Sequence, residues 1–128
     1  MTMSVKSIEA EASSVESEDI TPYQVITMLL DGALERVDKA ISRLDEGDID
    51  QAAVLVQKTI GIVSGLRESL NIENGGELAS NLDALYEYIV AKLDVIGQEG
   101  SPIAALDEVR KLLTEVHQGW TGIEAEVS

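Results

Sequence analysis

Hydrophobic residues settle into helical spacing from position 26 onward. Ile26, Leu29, Leu30, Ala33, Val37, Ala40, Ile41 and Leu44 follow three- and four-residue steps, while Gln24, Thr27, Asp31, Glu35, Asp38 and Ser42 fill the opposite stripe. That period predicts an amphipathic helix. Thr21-Pro22 supplies its start, with Thr21 as N-cap and Pro22 at a position where the missing N–H is no loss, and Gly47 marks its end. Asp48 is placed to cap a second helix, whose main stripe runs Ile49, Ala52 or Ala53, Val56, Ile60, Val63, Leu66 or Arg67, and Leu70. Asn74-Gly75-Gly76 breaks this pattern with residues that tolerate positive φ. A third stripe follows, Leu78, Leu82, Leu85, Ile89, Leu93 and Ile96, ending near Gly97. Ser101-Pro102 repeats the cap-plus-proline signal and opens a fourth, Ile103, Leu106, Val109, Leu113, Val116 and Trp120, ending near Gly122.

Four amphipathic helices with links of a few residues predict an all-α fold, an antiparallel up-down four-helix bundle over residues 21–123. Residues 1–20 are rich in Ser and Glu and lack aromatics, so they read as a flexible acidic N-terminal tail unable to offset the entropy of ordering. Residues 124–128 read as a flexible C-terminal tail. Within the N-terminal tail, Val5, Ile8, Ala12 and Val15 share one helical face. That spacing is either chance in a solvated segment or a short helix that masks apolar surface elsewhere.

Charge narrows the function. The chain has 128 residues, 9 Lys+Arg against 24 Asp+Glu, and a formal charge of −15. With basic residues scattered, it repels phosphate backbones and anionic lipid, so neither nucleic acid nor membrane insertion is expected. Cysteine is absent, which removes disulfides and thiolate chemistry. No secretory signal is visible, and the apolar run from Val25 to Leu30 is interrupted by Thr27 and stopped by Asp31; a cytoplasmic location is expected. Phe is absent too, so the core has to come from Leu, Ile, Val, Ala and Met, residues suited to helix-on-helix packing.

Candidate chemistry is sparse. His117, the single histidine, falls between Glu115 and Gln118 on a polar stripe. A di-iron bundle needs Glu-x-x-His pairs, but Thr114 stands three positions earlier. A phosphotransfer histidine needs a cationic neighbour, and none follows His117. The carboxylates lie on solvated faces, with no pair set apart for acid–base work. Gly75-Gly76 follows a helix, not a strand, so it is no phosphate loop. No catalytic residue, metal or cofactor is expected. Asp31, which interrupts an apolar run beside Gly32, is read as structural, at a close helix contact.

What is unusual is a surplus of apolar positions. Leu55, Ile62 and Leu66 recur with Thr59 between them, offset from the second helix's core line; Tyr86 and Val90 do the same on the third helix, and Leu112 on the fourth. Such a surplus means either a wider core face or an exposed apolar groove. Gly61 and Gly65 together cost about 2 kcal/mol relative to Ala, which the close approach of another helix would offset.

These residues resemble a known family. Thr21-Pro22, Ile26, Met28-Leu29 and Asp31-Gly32-Ala33 resemble the opening S-P-x-x-L-I-x-M-L-Y-D-G-A of the flagellar secretion chaperone FliS family. Ser69-Leu70-Asn71, then Gly75-Gly76-Glu77-Leu78-Ala79, Asn81-Leu82, Leu85-Tyr86 and Tyr88, resemble its S-L-x-x-x-x-G-G-E-I-A-x-N-L-x-x-L-Y-x-Y signature. The similarity runs from about Thr21 to Trp120. Two departures stand out: residues 1–20 lack the Tyr that members carry ahead of the first motif, and Leu30 replaces a common Tyr. The resemblance implies a cytoplasmic, non-enzymatic chaperone. Its groove would bind the C-terminal segment of flagellin as helices, prevent premature polymerisation and present the client to the export gate protein FlhA. Leu55, Ile62, Leu66, Tyr86, Val90 and Leu112 are the expected groove residues, and Pro22, Asp31, Gly32, Gly75, Gly76 and Asn81 the structural motif. The competing class is a self-associating adaptor bundle, its second stripe buried by another copy of the chain.

Overall fold

The computed structural model describes residues 22–70, 72–98 and 100–127. In chain order they form α1 (Pro22–Asp45), α2 (Ile49–Glu68), α3 (Ile72–Asp94) and α4 (Pro102–Val127), with no strand among the described residues. Each helix packs on the next and α4 returns to α1, a ring with no diagonal contact. Asp31 and Asp38 of α1 meet His117 and Arg110 of α4, so the two helices run in opposite directions. The expected four-helix bundle is what the chain builds. Thr21 and residues 1–20, with their alternating apolar face, lie outside the described residues.

The boundaries follow local chemistry. At the end of α1, Asp48 N–H donates to Arg43 O at 2.8 Å and Gly47 N–H to Leu44 O at 3.0 Å, a Schellman turn that needs the positive φ of Gly47, 82°. Asp48 then caps α2, its Oδ1 accepting from Gln51 N–H at 3.2 Å. Ser101 does the same for α4, its Oγ accepting from Ala104 N–H at 3.2 Å. The expected break at Gly75-Gly76 falls on Gly76, whose φ of 62° and ψ of −143° interrupt α3. Unlike the sequence reading, a short helical run from Ile72 through Gly75 precedes that kink.

The core is a set of heptad-like lines: Leu30, Ala33, Val37 and Ala40 from α1; Ala52, Val56, Thr59, Val63 and Leu66 from α2; Ala79, Tyr86, Ile89 and Leu93 from α3; Leu106, Val109 and Leu113 from α4. Three stripe positions are corrected, since Ile49, Leu78 and Ile103 are exposed. Fully buried Thr59 takes the place expected for Ile60, because its hydroxyl donates to Leu55 O at 2.8 Å and carries no unpaired polar group into the core. The end of the fourth helix is also corrected. α4 passes through Gly122 to Val127, since a glycine costs a helix only about 1 kcal/mol and Trp120 anchors the last turns.

Candidate functional site

The four seams between neighbouring helices are held very differently. Along α1 and α4, the Trp120 indole N–H donates to Tyr23 O at 2.9 Å and the two rings stack with centroids 5.3 Å apart. The same seam carries the His117 Nε2–H donating to Asp31 at 2.6 Å, and Arg110 reaching Asp38 at 3.4 Å. Between α1 and α2, Gly32 faces Ile62: a Cβ there would lie 3.7 Å from Ile62 Cδ1, an ordinary van der Waals contact, so the approach does not itself require a glycine. Between α2 and α3, Arg67 Nε donates to Asp83 at 2.7 Å.

The α3–α4 seam is the loosest of the four. Its polar link among the described residues is one carboxylate: Glu108 of α4 accepts from the Tyr88 hydroxyl at 2.6 Å and pairs with Lys92 Nζ at 3.0 Å, both from α3. Leu78, Leu85 and Lys92 recur at seven-residue spacing and so share one row of α3. The Tyr88–Glu108 bond sets an antiparallel register that puts Leu85 opposite Leu112 and Leu78 opposite Gly119. Among the described residues that end is open: Leu78 is 53% exposed and none of them lies within 4 Å of where a Gly119 Cβ would be. Beyond Glu108, a cavity of about 260 Å³ is walled by Val95, Ile96, Pro102 and Ala105, with Lys92 and Glu108 at its rim. Tyr88 and Val95 add exposed apolar surface along the same side, whereas exposed Ile103, seven residues before Arg110, shares the α1-facing row of α4.

The seam's charges reinforce one another. Hydrogen bonds from Tyr88 and Lys92 hold the Glu108 carboxyl below its ordinary range, and Glu108 in turn raises the Lys92 ammonium and the Tyr88 phenol. At neutral pH the trio is therefore a carboxylate, an ammonium and a neutral phenol. Nothing in it is poised for proton transfer. Among the described residues no cluster of His, Cys, Asp or Glu could hold a metal, and no helix is long and apolar enough to cross a membrane.

The six expected groove residues do not converge. Leu66 and Tyr86, 1% and 2% exposed, are core residues, a correction to their placement on an offset surface stripe. The helical steps from Thr59 to Leu66 and from Leu82 to Tyr86 point both inward once Thr59 is admitted to the core. Ile62 faces Gly32 at the α1–α2 seam, and Leu55, seven residues earlier, shares that face. Val90, seven residues after Asp83, lies toward α2. Leu112, four residues after Glu108, is the one that lies on the α3–α4 seam. Of the structural motif, Pro22 opens α1, Gly75 lies in the helical run before the kink, Gly76 forms the kink and Asn81 is exposed on α3. The close helix approach expected over Gly61 and Gly65 does not occur among the described residues, as both are exposed with none of those residues within 4 Å. Tyr88, Lys92 and Glu108 were invisible as a unit, although the row Leu78, Leu85, Lys92 is written in the spacing.

Comparison with known proteins agrees with this architecture. The model of the family described as flagellar protein FliS matches residues 6–127. A flagellar secretion chaperone FliSB of Pseudomonas aeruginosa is 45% identical over 117 residues, covering 91% of this chain and 88% of that protein. The FliS chaperones of Salmonella typhimurium and Vibrio cholerae are 35% and 30% identical, over 90% and 83% of this chain and 87% and 77% of theirs. A family match over residues 6–127, with a relative 45% identical over 91% of the chain, makes this chain a member of the FliS family of flagellar proteins.

Proposed function

We propose that this chain is a cytoplasmic flagellar export chaperone that holds the C-terminal segment of flagellin as helices against its apolar seams. Holding that segment prevents premature polymerisation, and the loaded complex passes to the export gate protein FlhA. The observation that carries the reading is the open α3–α4 seam, apolar at both ends and exposed in a chain of charge −15. An unpartnered helix-wide trough of this kind is suited to an amphipathic helix that is disordered until it binds. Leu112 lies on this trough; half-buried Leu55, Ile62 and Val90 continue apolar surface onto the neighbouring seams. The relatives named as secretion chaperones support the same role.

Calorimetry with a flagellin C-terminal peptide tests it. Leu78→Glu, on an exposed residue, is expected to leave the melting temperature unchanged and weaken binding by about tenfold or more, roughly 1.4 kcal/mol. Full affinity in Leu78→Glu and Val95→Glu, with loss in Ile62→Glu, would move the client to the α1–α2 seam. A dimer in light scattering that ignores the peptide would replace the chaperone reading with a self-associating adaptor.

A further inference from the structure

We propose that Glu108, with Tyr88 and Lys92, is a latch across the α3–α4 seam that a bound client helix must displace, so that these side chains set client affinity by competing with it. The inference rests on the seam being the client site. Three observations carry it. First, the trio is the polar tie of the loosest helix pair, and both ties end on one carboxylate, so moving Glu108 alone releases them together. Second, its position divides the apolar surface. Leu78, Leu85 and Leu112 lie on one side, and the cavity walled by Val95, Ile96, Pro102 and Ala105 lies on the other. From Leu78 to Asp94, the end of α3, is about 24 Å at 1.5 Å per residue, and Ile96 lies just beyond, so a client helix filling the whole trough has to cross the latch. Third, the trio is wet: Tyr88 is 45% exposed, and the Lys92 and Glu108 side chains are 35% and 42% exposed. Exposed pairs of this kind contribute little and open easily.

The arrangement ties the middle of the empty seam at small cost while both ends stay open. Without the tie, α3 and α4 would be joined only by apolar packing, through the shared core of Ile89, Leu93, Leu106, Val109 and Leu113 and the half-buried Leu82, Leu85, Leu112 and Val116. With it, the trough is shut in the middle, and only a client long enough to gain contacts on both sides recovers the cost of opening. A segment covering one half never meets the latch. The latch thereby discriminates by client length, a property that apolar matching alone lacks.

The full chain is the material for the test, with two flagellin C-terminal peptides, one of about 8 residues and one of about 22, chosen against the helical rise. Tyr88→Phe keeps the ring and removes the hydroxyl; Glu108→Ala removes the shared carboxylate. The long peptide is expected to bind about 3- to 10-fold tighter to both variants, the short one equally to all. Amide exchange along residues 82–92 of the free protein is expected to accelerate in both variants. Unchanged or weaker binding of the long peptide overturns the latch, as does unchanged exchange. Failure of either peptide to bind the unaltered protein overturns the chaperone reading itself, an outcome distinct from a peptide that binds all three proteins alike.

Discussion

Two seams of one bundle, α1–α2 and α3–α4, are built from similar amino acids to opposite ends. On α1 the residues facing inward are Leu30, Ala33, Val37 and Ala40, all with no exposed surface, and Gly32 admits Ile62. Small residues let the backbones approach until side chains interdigitate at interior density. On α3 the inward positions after Ala79 hold the bulkier Tyr86, Ile89 and Leu93, the packing against α4 is the sparsest of the four seams, and at the far end Leu78 is exposed with no described residue within 4 Å of a Gly119 Cβ. Stability is concentrated where the helices are thin; surface for a partner remains where they are thick. A bundle that must stay folded while offering apolar surface can separate the two tasks only by making its seams unequal.

The largest effect should come from erasing that inequality in the core. Leu66→Ala is expected to cost about 2–5 kcal/mol, the range for a buried Leu that leaves a cavity. For a domain of this size that lowers the melting temperature by roughly 10 °C or more. Leu78→Ala, on an exposed residue of a chemically identical kind, is expected to stay within about 0.5 kcal/mol. Similar melting for the two variants would mean that the seams are not divided in this way.

That pair also shows how far the residues could be read unaided. The helix count, the Schellman stop at Gly47, the Asp48 and Ser101 caps and the Gly76 kink were all legible, because each is decided by a few neighbouring residues. The choice of buried row was not. Three- and four-residue steps through α2 can run by Ile60 or by Thr59, and the bundle took Thr59, whose hydroxyl is silently satisfied by Leu55 O. The same ambiguity hid Tyr86 in the core and left Leu78 outside. The latch was beyond reach for another reason: Tyr88 and Glu108 meet across a seam, and only the antiparallel register brings them within 2.6 Å.

Glycines offer a sharper version of the comparison. Gly76 holds a φ of 62° with no atom within 4 Å of a would-be Cβ, so Gly76→Ala meets conformational strain without a clash. The expected loss is about 1–2 kcal/mol, read as a lower urea midpoint at constant slope. Gly61 is helical, exposed and equally uncrowded, so Gly61→Ala should stabilise by about 1 kcal/mol. A destabilised Gly61→Ala would reveal a contact over α2 that the isolated chain does not make.

The latch adds a pH signature. Glu108 is depressed in the folded state, so its contribution is present above the ordinary carboxyl range near 4.5 and is lost as pH falls through the lower folded value. Lys92 and Tyr88 are raised, so theirs are full below their ordinary values near 10.5 and 10.0 and are lost as pH rises through the higher folded ones. Amide exchange in α3, corrected for intrinsic rates, should therefore be flat from roughly pH 5 to 9 and accelerate outside that window, and in Glu108→Ala the acid-side step should vanish. An acid-side step that survives in Glu108→Ala would place its origin in another carboxylate.

The smallest effect is expected at Asp31, one of three polar links along the α1–α4 seam. Its side chain is 62% exposed and its partner His117 is 26% exposed, so the pair is solvent-screened. Asp31→Asn keeps an oxygen that can accept from the His117 Nε2–H and removes only the charge. The expected change is within about 0.5 kcal/mol, shrinking further in high salt, because exposed pairs contribute little and salt weakens them. A large loss of stability would mean that this seam depends on charge, as α3–α4 does, and the contrast between the two would collapse. A normal melting temperature with weakened peptide binding would instead show that Asp31 touches the client. Its place on the α1–α4 seam would then mark a second contact on the face next to the latch, and the client would have to cross α4 to reach both.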